Sequence, residues 1–282
     1  MKLRAHAKIN LSLRVLEKRP DGYHNIESVM QSISLYDLVT LSPMPSGIQV
    51  ICDHPKVPPG SDNLAYKAAE LFFRTQNTGI EGVKIVIQKN IPIAAGLAGG
   101  SADAAAVLYG LNRMTNQMSN EGLLSLGSQI GSDVPFCLTG GTCLVEGRGE
   151  VVTKQEPWPE TYFVLVCPDI HVSAKWAYEA FDEMRLNVPE EINPHTKYFG
   201  VGIKNDLEPA VVSRHEIVAE IKEKLVRLGC SEAQMSGSGP SVFGTVRNKN
   251  KAEEIFGQIK EVYPQSFLLG TIDKGIEILT EE

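Results

Sequence analysis

The feature that most constrains the fold is a glycine- and alanine-rich segment placed between a strand pattern and a helix pattern. Val83, Ile85 and Ile87 occupy alternate positions and predict a strand. Residues 91–106 then read IPIAAGLAGGSADAAA, and a helix is predicted from about Ser101 to Arg113. Glycines permit backbone approaches that side chains would block, and the N–H groups of a first helical turn favour an anion. This strand–loop–helix unit predicts a phosphate-binding site.

The glycines alone are equally consistent with a helix that simply packs tightly on a sheet. The segment is not a Walker A loop, because no Gly-Lys-Ser/Thr ends it, and it is not a G-x-G-x-x-G dinucleotide fingerprint. The leading Pro92, the small residues of the helix and the hydroxyl of Ser101 favour phosphate binding. Ser101 stands where a phosphate or Mg²⁺ would sit.

The N-terminal segment has a second strong pattern. Residues 3–15 alternate between apolar and polar without a break, which predicts one half-buried strand, or two strands joined by a bend. Lys8 and Asn10 then share the face directed away from the core. The first 20 residues carry six basic side chains and one acidic one, on a chain of net charge −7. Charge alone favours a solvated edge strand over an anion-binding strand.

The remaining patterns mix strands and helices without strict alternation, which indicates an α+β fold. Segment 157–159 is the candidate boundary between domains 1–156 and 157–282, and Gly229 ends a helix as a C′ residue. Segment 43–60 is predicted to be turn-rich with at most a short strand, and segment 187–200 is predicted to be a loop. A second extended segment is predicted from the turn at Asp21-Gly22 to about Leu41. The other predicted strands are 142–146, 162–167, 233–235, 242–246 and 267–272, and the other predicted helices are 64–74, 120–130, 216–228 and 251–262.

Three segments in order along the chain resemble the motifs of the GHMP kinases. They are AKINLSL at 7–13, the glycine-rich segment at 92–106, and MSGSGPSVFG at 235–244. The resemblance implies an ATP-dependent small-molecule kinase with a GHMP-kinase architecture. It comprises an N-terminal domain like the second domain of ribosomal protein S5, a ferredoxin-like C-terminal domain, and a cleft between them.

Finer features resemble one branch of that family. RPDGYH at 19–24 and GSDVPF at 131–136 are similar to kinases that phosphorylate a small molecule carrying a cytidine diphosphate, in isoprenoid precursor synthesis. Other GHMP kinases, of the homoserine or mevalonate type, remain an alternative. A non-catalytic S5-like RNA-binding module is another, although the acidic net charge disfavours phosphate-backbone binding.

The resemblance implies roles for particular residues. Lys8 and Asp133 correspond to the catalytic pair: phosphoryl transfer needs a group that orients or deprotonates the acceptor hydroxyl and a cation that stabilises the transferred charge. The implied ATP contacts are Asn63, Lys89 and the loop Pro92, Ile93, Ala94, Ala95, Gly96, Leu97, Ala98, Gly99, Gly100, Ser101 and Ala102. The implied substrate contacts are Asn10, Tyr23, His24 and Tyr178, with an aromatic face for the base and a polar group for its edge.

Some positions depart from the commonest family pattern. Ala98 and Ala102 stand where many relatives carry Gly and Ser, Asp103 replaces a common Asn, and Ala174 replaces a frequent Thr. No acidic metal ligand matches the one used by several GHMP kinases. The resemblance implies ATP as co-substrate with Mg²⁺. Because that acidic ligand is missing, Ser101 is the one residue assigned to the metal.

Composition excludes several other classes. The five cysteines are odd in number with no CxxC pair, and the six histidines show no HExxH spacing, so neither a disulfide framework nor a zinc protease is indicated. Apolar runs reach about six residues, far below the ~18 of a membrane span. Together with the acidic net charge, these observations predict a cytoplasmic protein with no membrane or nucleic-acid partner. The resemblance implies that it is an enzyme, which we expect to be a monomer or a homodimer.

Overall fold

The computed structural model describes residues 1–76, 79–186 and 204–279, so the predicted loop at 187–200 lies outside the described residues. The strands are β1 (Lys2–Lys18), β2 (His24–Met44), β3 (Gly47–Cys52), β4 (Gly82–Gln88), β5 (Thr142–Gly147), β6 (Val151–Lys154), β7 (Tyr162–Val166), β8 (Glu232–Met235), β9 (Val242–Val246), β10 (Ser266–Gly270) and β11 (Ile276–Leu279). The helices are α1 (Leu64–Thr75), α2 (Gly99–Thr115), α3 (Asn120–Ile130), α4 (Val134–Thr139), α5 (Ala174–Leu186), α6 (Glu208–Val212), α7 (Ile217–Leu228) and α8 (Lys249–Val262).

The first layer is a seven-stranded sheet in the order β11-β1-β2-β4-β3, with β5 paired to β2 and β6 to β5. Helices α1 to α4 pack together on it, and α2 contacts both β1 and β2. The apolar residues of the alternating pattern in β1, such as Leu3 and Ile9, form one core with the alanines of α2. The small alanine side chains let the helix that follows the glycine loop lie close to the sheet.

The second layer is an antiparallel four-stranded sheet in the order β10-β7-β9-β8. Helices α7 and α8 supply Ile221, Leu225 and Ile255 to its core. The connection between the two sheets runs through residues 155–161, around the proposed boundary at 157. The chain then returns to the first sheet, because β11 pairs with β1. We propose the same division into 1–156 and 157–282, with β11 completing the N-terminal sheet.

The expected half-exposed strand is wrong for the middle of β1. Residues 5–13 are buried on both faces, and Lys8 and Asn10 are 4% and 2% exposed. The cause is the second sheet: the Gln234 amide of β8 donates to the backbone carbonyl of Asn10 at 3.1 Å. The solvated-edge interpretation is also wrong, since β1 pairs with β11 on one side and β2 on the other.

Several elements, most of them short, were not predicted from the sequence. They are the helices α4, α5 and α6 and the strands β6 and β11. Among the described residues, none of the helices has the length and apolarity needed to cross a bilayer.

Candidate active site

The three sequence motifs meet at the ammonium group of Lys8. Its Nζ donates to Asn10 Oδ1 at 2.7 Å and to the backbone carbonyl of Gly96 at 3.2 Å. The Ser236 hydroxyl donates to the same carbonyl at 3.1 Å and accepts from the Asn10 backbone N–H at 3.3 Å. The strand motif, the glycine loop and the second glycine-rich segment therefore share one hydrogen-bond network.

Asn10 is held in one orientation by β2. Its Nδ2 donates to the Ser28 hydroxyl at 2.8 Å, and that hydroxyl donates to the Ser12 carbonyl at 2.6 Å. The amide oxygen of Asn10 is thereby directed at Lys8. Sequence reasoning did not select Ser28 or Ser236 as site residues, although Ser236 lies in a segment that the resemblance had identified.

Asp133 completes the pair at the other side of Lys8. Its Oδ2 lies 3.8 Å from Lys8 Nζ, and its side chain is 31% exposed whereas that of Lys8 is 5% exposed. Asp133 precedes α4 but makes no side-chain capping bond. A buried cation therefore sits beside a solvent-accessible carboxylate that is not used by the fold, which is the arrangement required of a group that contacts a substrate hydroxyl.

The glycine loop uses its glycines for two different purposes. Gly96 has a φ of 75°, and a Cβ there would lie 2.4 Å from the carbonyl oxygen of Ser236. At Gly99, a Cβ would instead meet the side chains of Ile91 and Lys89 at 3.0 and 3.2 Å. Gly96 thus permits the contact between the two glycine-rich segments, and Gly99 permits the first turn of α2 to pack on the sheet.

The N-terminus of α2 offers free N–H groups to solvent. Its N-cap, Ala98, adopts a left-handed conformation with a φ of 59° and gives no side-chain cap. Ile93, Ala94 and Gly100 are exposed, while Ala95, Leu97 and Ala102 are buried. Pro92 and Ser101 are half-buried. Uncapped N–H groups at a helix N-terminus, next to an exposed loop, can bind an anion.

Lys89 lies under this helix in a buried ion cluster. Its Nζ donates to Asp37 and, at 2.7 Å, to Asp103 Oδ2, and all three side chains are at most 5% exposed. Burial raises the pKa of Asp103 to about 8 against the opposing charge of Lys89. Because the ammonium already donates to two buried acidic side chains, the expected contact of Lys89 with ATP stays a prediction.

Asn63 is similarly engaged. Its Oδ1 accepts from the backbone N–H of Ala65 at 2.8 Å, which caps α1, and its Nδ2 donates to the carbonyl of Pro58 at 2.8 Å. Its expected role beside adenine also stays a prediction.

Ser101, the residue assigned to the metal, lies near the GSDVPF segment: its Oγ is 3.9 Å from the point where a Cβ on Gly131 would lie. No cluster of three or more His, Cys, Asp or Glu side chains suited to a metal occurs in the described ranges.

Aromatic residues gather on the other side of Asp133. Tyr23 is 56% exposed, and the guanidinium of Arg148 lies 5.6 Å from its ring centroid. Tyr178 stacks on His24 with centroids 5.3 Å apart and ring planes at 17°. Burial raises the pKa of Tyr178, and the negative charge of Asp133 adds to this rise, so the aromatic cluster lies close to the Lys8–Asp133 pair.

Two protein-family models match this chain. The model described as "GHMP kinases N terminal domain" matches residues 63–141, and the model described as "GHMP kinases C terminal" matches residues 184–265. A 4-diphosphocytidyl-2-C-methyl-D-erythritol kinase of Clostridium botulinum (strain Alaska E43 / Type E3) is 43% identical, over 96% of this chain and 100% of its own. The chain belongs to the GHMP kinase family. The expected GHMP-kinase architecture and the expectation of an ATP-dependent small-molecule kinase are confirmed.

Further GHMP kinases support the assignment. The kinase of the same name from Acetivibrio thermocellus is 43% identical, over 96% of this chain and 98% of its own. A crystal structure of 4-(cytidine 5'-diphospho)-2C-methyl-D-erythritol kinase superposes with a TM-score of 0.80 at 29% identity, covering 96% of this chain and 99% of that one. A homoserine kinase from Cytophaga hutchinsonii superposes with a TM-score of 0.74 at 20% identity, covering 99% and 97%, which shows the shared fold.

Proposed function

We propose that this GHMP kinase transfers the γ-phosphoryl group of ATP to the 2-hydroxyl of 4-diphosphocytidyl-2-C-methyl-D-erythritol, giving the 2-phosphate and ADP. The step belongs to the non-mevalonate route to isoprenoid precursors. The observation that carries the proposal is the junction of all three motifs at Lys8, with the accessible carboxylate of Asp133 3.8 Å away.

The chemistry follows from that pair. Asp133 accepts the proton of the acceptor hydroxyl as its oxygen attacks the γ-phosphorus, and the bond from that phosphorus to the bridging oxygen of ADP breaks. Lys8 places a positive charge beside the Asp133 carboxylate and beside the transferred group. Asn10 and the Gly96 carbonyl fix the ammonium, so little reorganisation is required during the reaction.

ATP is assigned to the loop Pro92–Ala102, with its phosphates on the N-terminus of α2. Mg²⁺ ordinarily keeps several waters and takes one or two protein ligands together with substrate phosphates, so a single hydroxyl from Ser101 fits such an ion. When bound, it would neutralise charge on the phosphates. Asp103 is not assigned to the metal, because its side chain is buried against Lys89.

The cytidine end of the acceptor is assigned to Tyr23, His24 and Tyr178. An exposed ring at Tyr23 can stack on a base, and a polar group beside it can read the base edge. His24 of RPDGYH stacks on Tyr178, and the charge of Asp133 of GSDVPF acts on the same Tyr178 by helping to raise its pKa. This proximity favours the cytidine substrate over homoserine or mevalonate, which have no base to bind.

The product tests the proposal directly. The protein is incubated with ATP, Mg²⁺ and the cytidine diphosphate substrate, and the product is examined by ³¹P NMR and mass spectrometry. We expect a new phosphomonoester whose phosphorus is bonded through oxygen to C2, the carbon that bears the methyl group. A phosphate at another hydroxyl would contradict the assigned acceptor, and absence of any new phosphomonoester under conditions in which ADP accumulates would indicate ATP hydrolysis alone.

A further inference from the structure

The ring of His24 is enclosed by one face of helix α5. Tyr178 stacks on the ring, Phe181 meets it edge-on with centroids 6.5 Å apart, and the carboxylate of Asp182 lies 2.8 Å from Nε2. Positions i, i+3 and i+4 lie on one side of a helix, so these three residues contact the imidazole together from the same face of α5. Three contacts of different kinds fix both the position and the rotation of the ring.

The Asp182 carboxylate decides which ring nitrogen carries the proton. An ionised carboxylate can only accept hydrogen bonds, so Nε2 of His24 must be the donor. Burial acts to raise the pKa of Asp182, but hydrogen bonds from Lys18 and His24 outweigh it and hold that pKa below its usual range. The Lys18 bond, at 2.6 Å, reaches the second carboxylate oxygen. Asp182 therefore stays ionised at neutral pH.

The other ring nitrogen is left as an acceptor. A neutral imidazole with hydrogen on Nε2 has a lone pair on Nδ1. Within the described part of the chain, Nδ1 has no hydrogen-bond partner, whereas Nε2 is fully used. His24 follows directly after the exposed Tyr23, and Nδ1 is the ring nitrogen that remains to accept a hydrogen bond from a base stacked on Tyr23.

We propose that Asp182 is the positioning residue that sets base specificity: it holds His24 in the tautomer whose Nδ1 accepts a hydrogen bond from the exocyclic amino group of a cytosine. This inference rests on the proposed function. Uracil carries a carbonyl oxygen where cytosine carries the amino group. Two acceptors would then face each other, so the same tautomer that selects cytosine rejects uracil.

A merely structural role for Asp182 makes different predictions. Asp182 also ties α5 to β1 through Lys18, so its loss could simply loosen the helix. Loosening would weaken the binding of cytidine and uridine acceptors alike. Loss of tautomer control would instead narrow the preference for the cytidine acceptor over the uridine acceptor. In Asp182→Asn the new amide can donate its own N–H to Nε2, which favours hydrogen on Nδ1.

The test compares the cytidine substrate with its uridine analogue in competition at pH 8, above the range in which imidazoles ordinarily titrate. For Asp182→Asn we expect the cytidine-to-uridine ratio of kcat/KM to fall about tenfold, the effect of losing about one hydrogen bond. The kcat at saturating cytidine substrate should stay within about threefold of wild type. Asp182→Glu, which keeps a carboxylate, should recover part of the ratio. Glu179→Gln is the matched control: it removes the same charge from an exposed position of α5 that pairs with Lys175.

A second measurement needs no variant. Long-range ¹H–¹⁵N NMR of the wild-type protein, with His24 assigned through His24→Gln, should show hydrogen on Nε2 and none on Nδ1. Hydrogen on Nδ1, or an unchanged cytidine-to-uridine ratio in a folded Asp182→Asn, would overturn the proposal. Failure of the wild-type protein to phosphorylate the cytidine substrate would instead overturn the proposed function, and the NMR result would still report the tautomer.

Discussion

Lys8 Nζ lies 3.8 Å from Asp133 Oδ2, and the two residues come from elements that are far apart in sequence. Asp133→Asn keeps the shape of the side chain but removes the base. We expect turnover to fall at least ~10²-fold, the usual contribution of a positioned acid or base, while ATP affinity is retained. Steady-state kinetics and nucleotide titration measure both. The exposed Asp273, changed to Asn in the same way, serves as control and should behave as wild type.

Lys8→Met should reduce turnover as well, and the two changes should not be additive. If Lys8 and Asp133 act as one paired unit, the double variant should lie within about tenfold of the slower single variant. Multiplicative losses in this double-mutant cycle would show that the two side chains act independently, contrary to the contact between them.

Gly96 is the loop position where substitution should cost the most. Gly96→Ala places a Cβ against the Ser236 carbonyl in a left-handed backbone conformation. We expect the free energy of unfolding to fall by about 1–3 kcal/mol, with loss of activity because the carbonyl that holds Lys8 moves. Gly257→Ala, in α8, has open space around its Cβ and should be neutral or stabilise by about 0.5–1 kcal/mol. Equal unfolding curves for the two variants would contradict this account of the loop.

The buried Asp103 should make stability depend on pH. Its pKa is raised to about 8 in the folded protein, mainly by burial, whereas an unfolded Asp titrates near ~4. Between these values the folded state binds a proton that the unfolded chain does not, so the free energy of unfolding falls as pH rises, by at most ~1.4 kcal/mol per pH unit. Asp103→Asn should flatten this slope in urea denaturation between pH 6 and 8.5. Asp169→Asn, an exposed site, should leave it unchanged, and a slope that persists in Asp103→Asn would assign it to other groups.

Tyr23 should contribute to substrate affinity and little to the chemical step. Its exposed ring is free to stack on a base, an interaction worth roughly 1–3 kcal/mol. Tyr23→Ala should therefore raise the KM for the cytidine substrate about ten- to a hundredfold, with the KM for ATP unchanged. A parallel loss in both KM values would place Tyr23 outside the acceptor site.

Local patterns predicted the long elements well and the environment of the site poorly. The alternation in β1 and the apolar spacing of α1 and α7 reflect burial of one face, which the sequence records directly. The burial of Lys8 does not follow from that pattern, because it depends on β8, more than 220 residues further along the chain. The four residues of β11 are too short a run to show a period, and their partner strand is at the opposite terminus.

The candidate site residues came from the motifs and not from physical periodicity. Resemblance to the GHMP kinases selected Lys8, Asn10 and Asp133. In the fold Asn10 and Asp133 both lie beside Lys8, and their roles stay predictions. The engagement of Asn63 in a helix cap and of Lys89 in an ion cluster is a matter of side-chain partners that only the fold reveals. Helix α5 was not predicted, so Asp182, on the helix face that meets His24, had no signal in the sequence.

The most direct test of the central claim is a coupled assay of ADP release with three acceptors at equal concentration: 4-diphosphocytidyl-2-C-methyl-D-erythritol, homoserine and mevalonate. We expect rapid ADP release with the cytidine substrate alone, and we expect Asp133→Asn to reduce that rate at least ~10²-fold. Comparable or faster release with homoserine or mevalonate, or release that is independent of any acceptor, would contradict it.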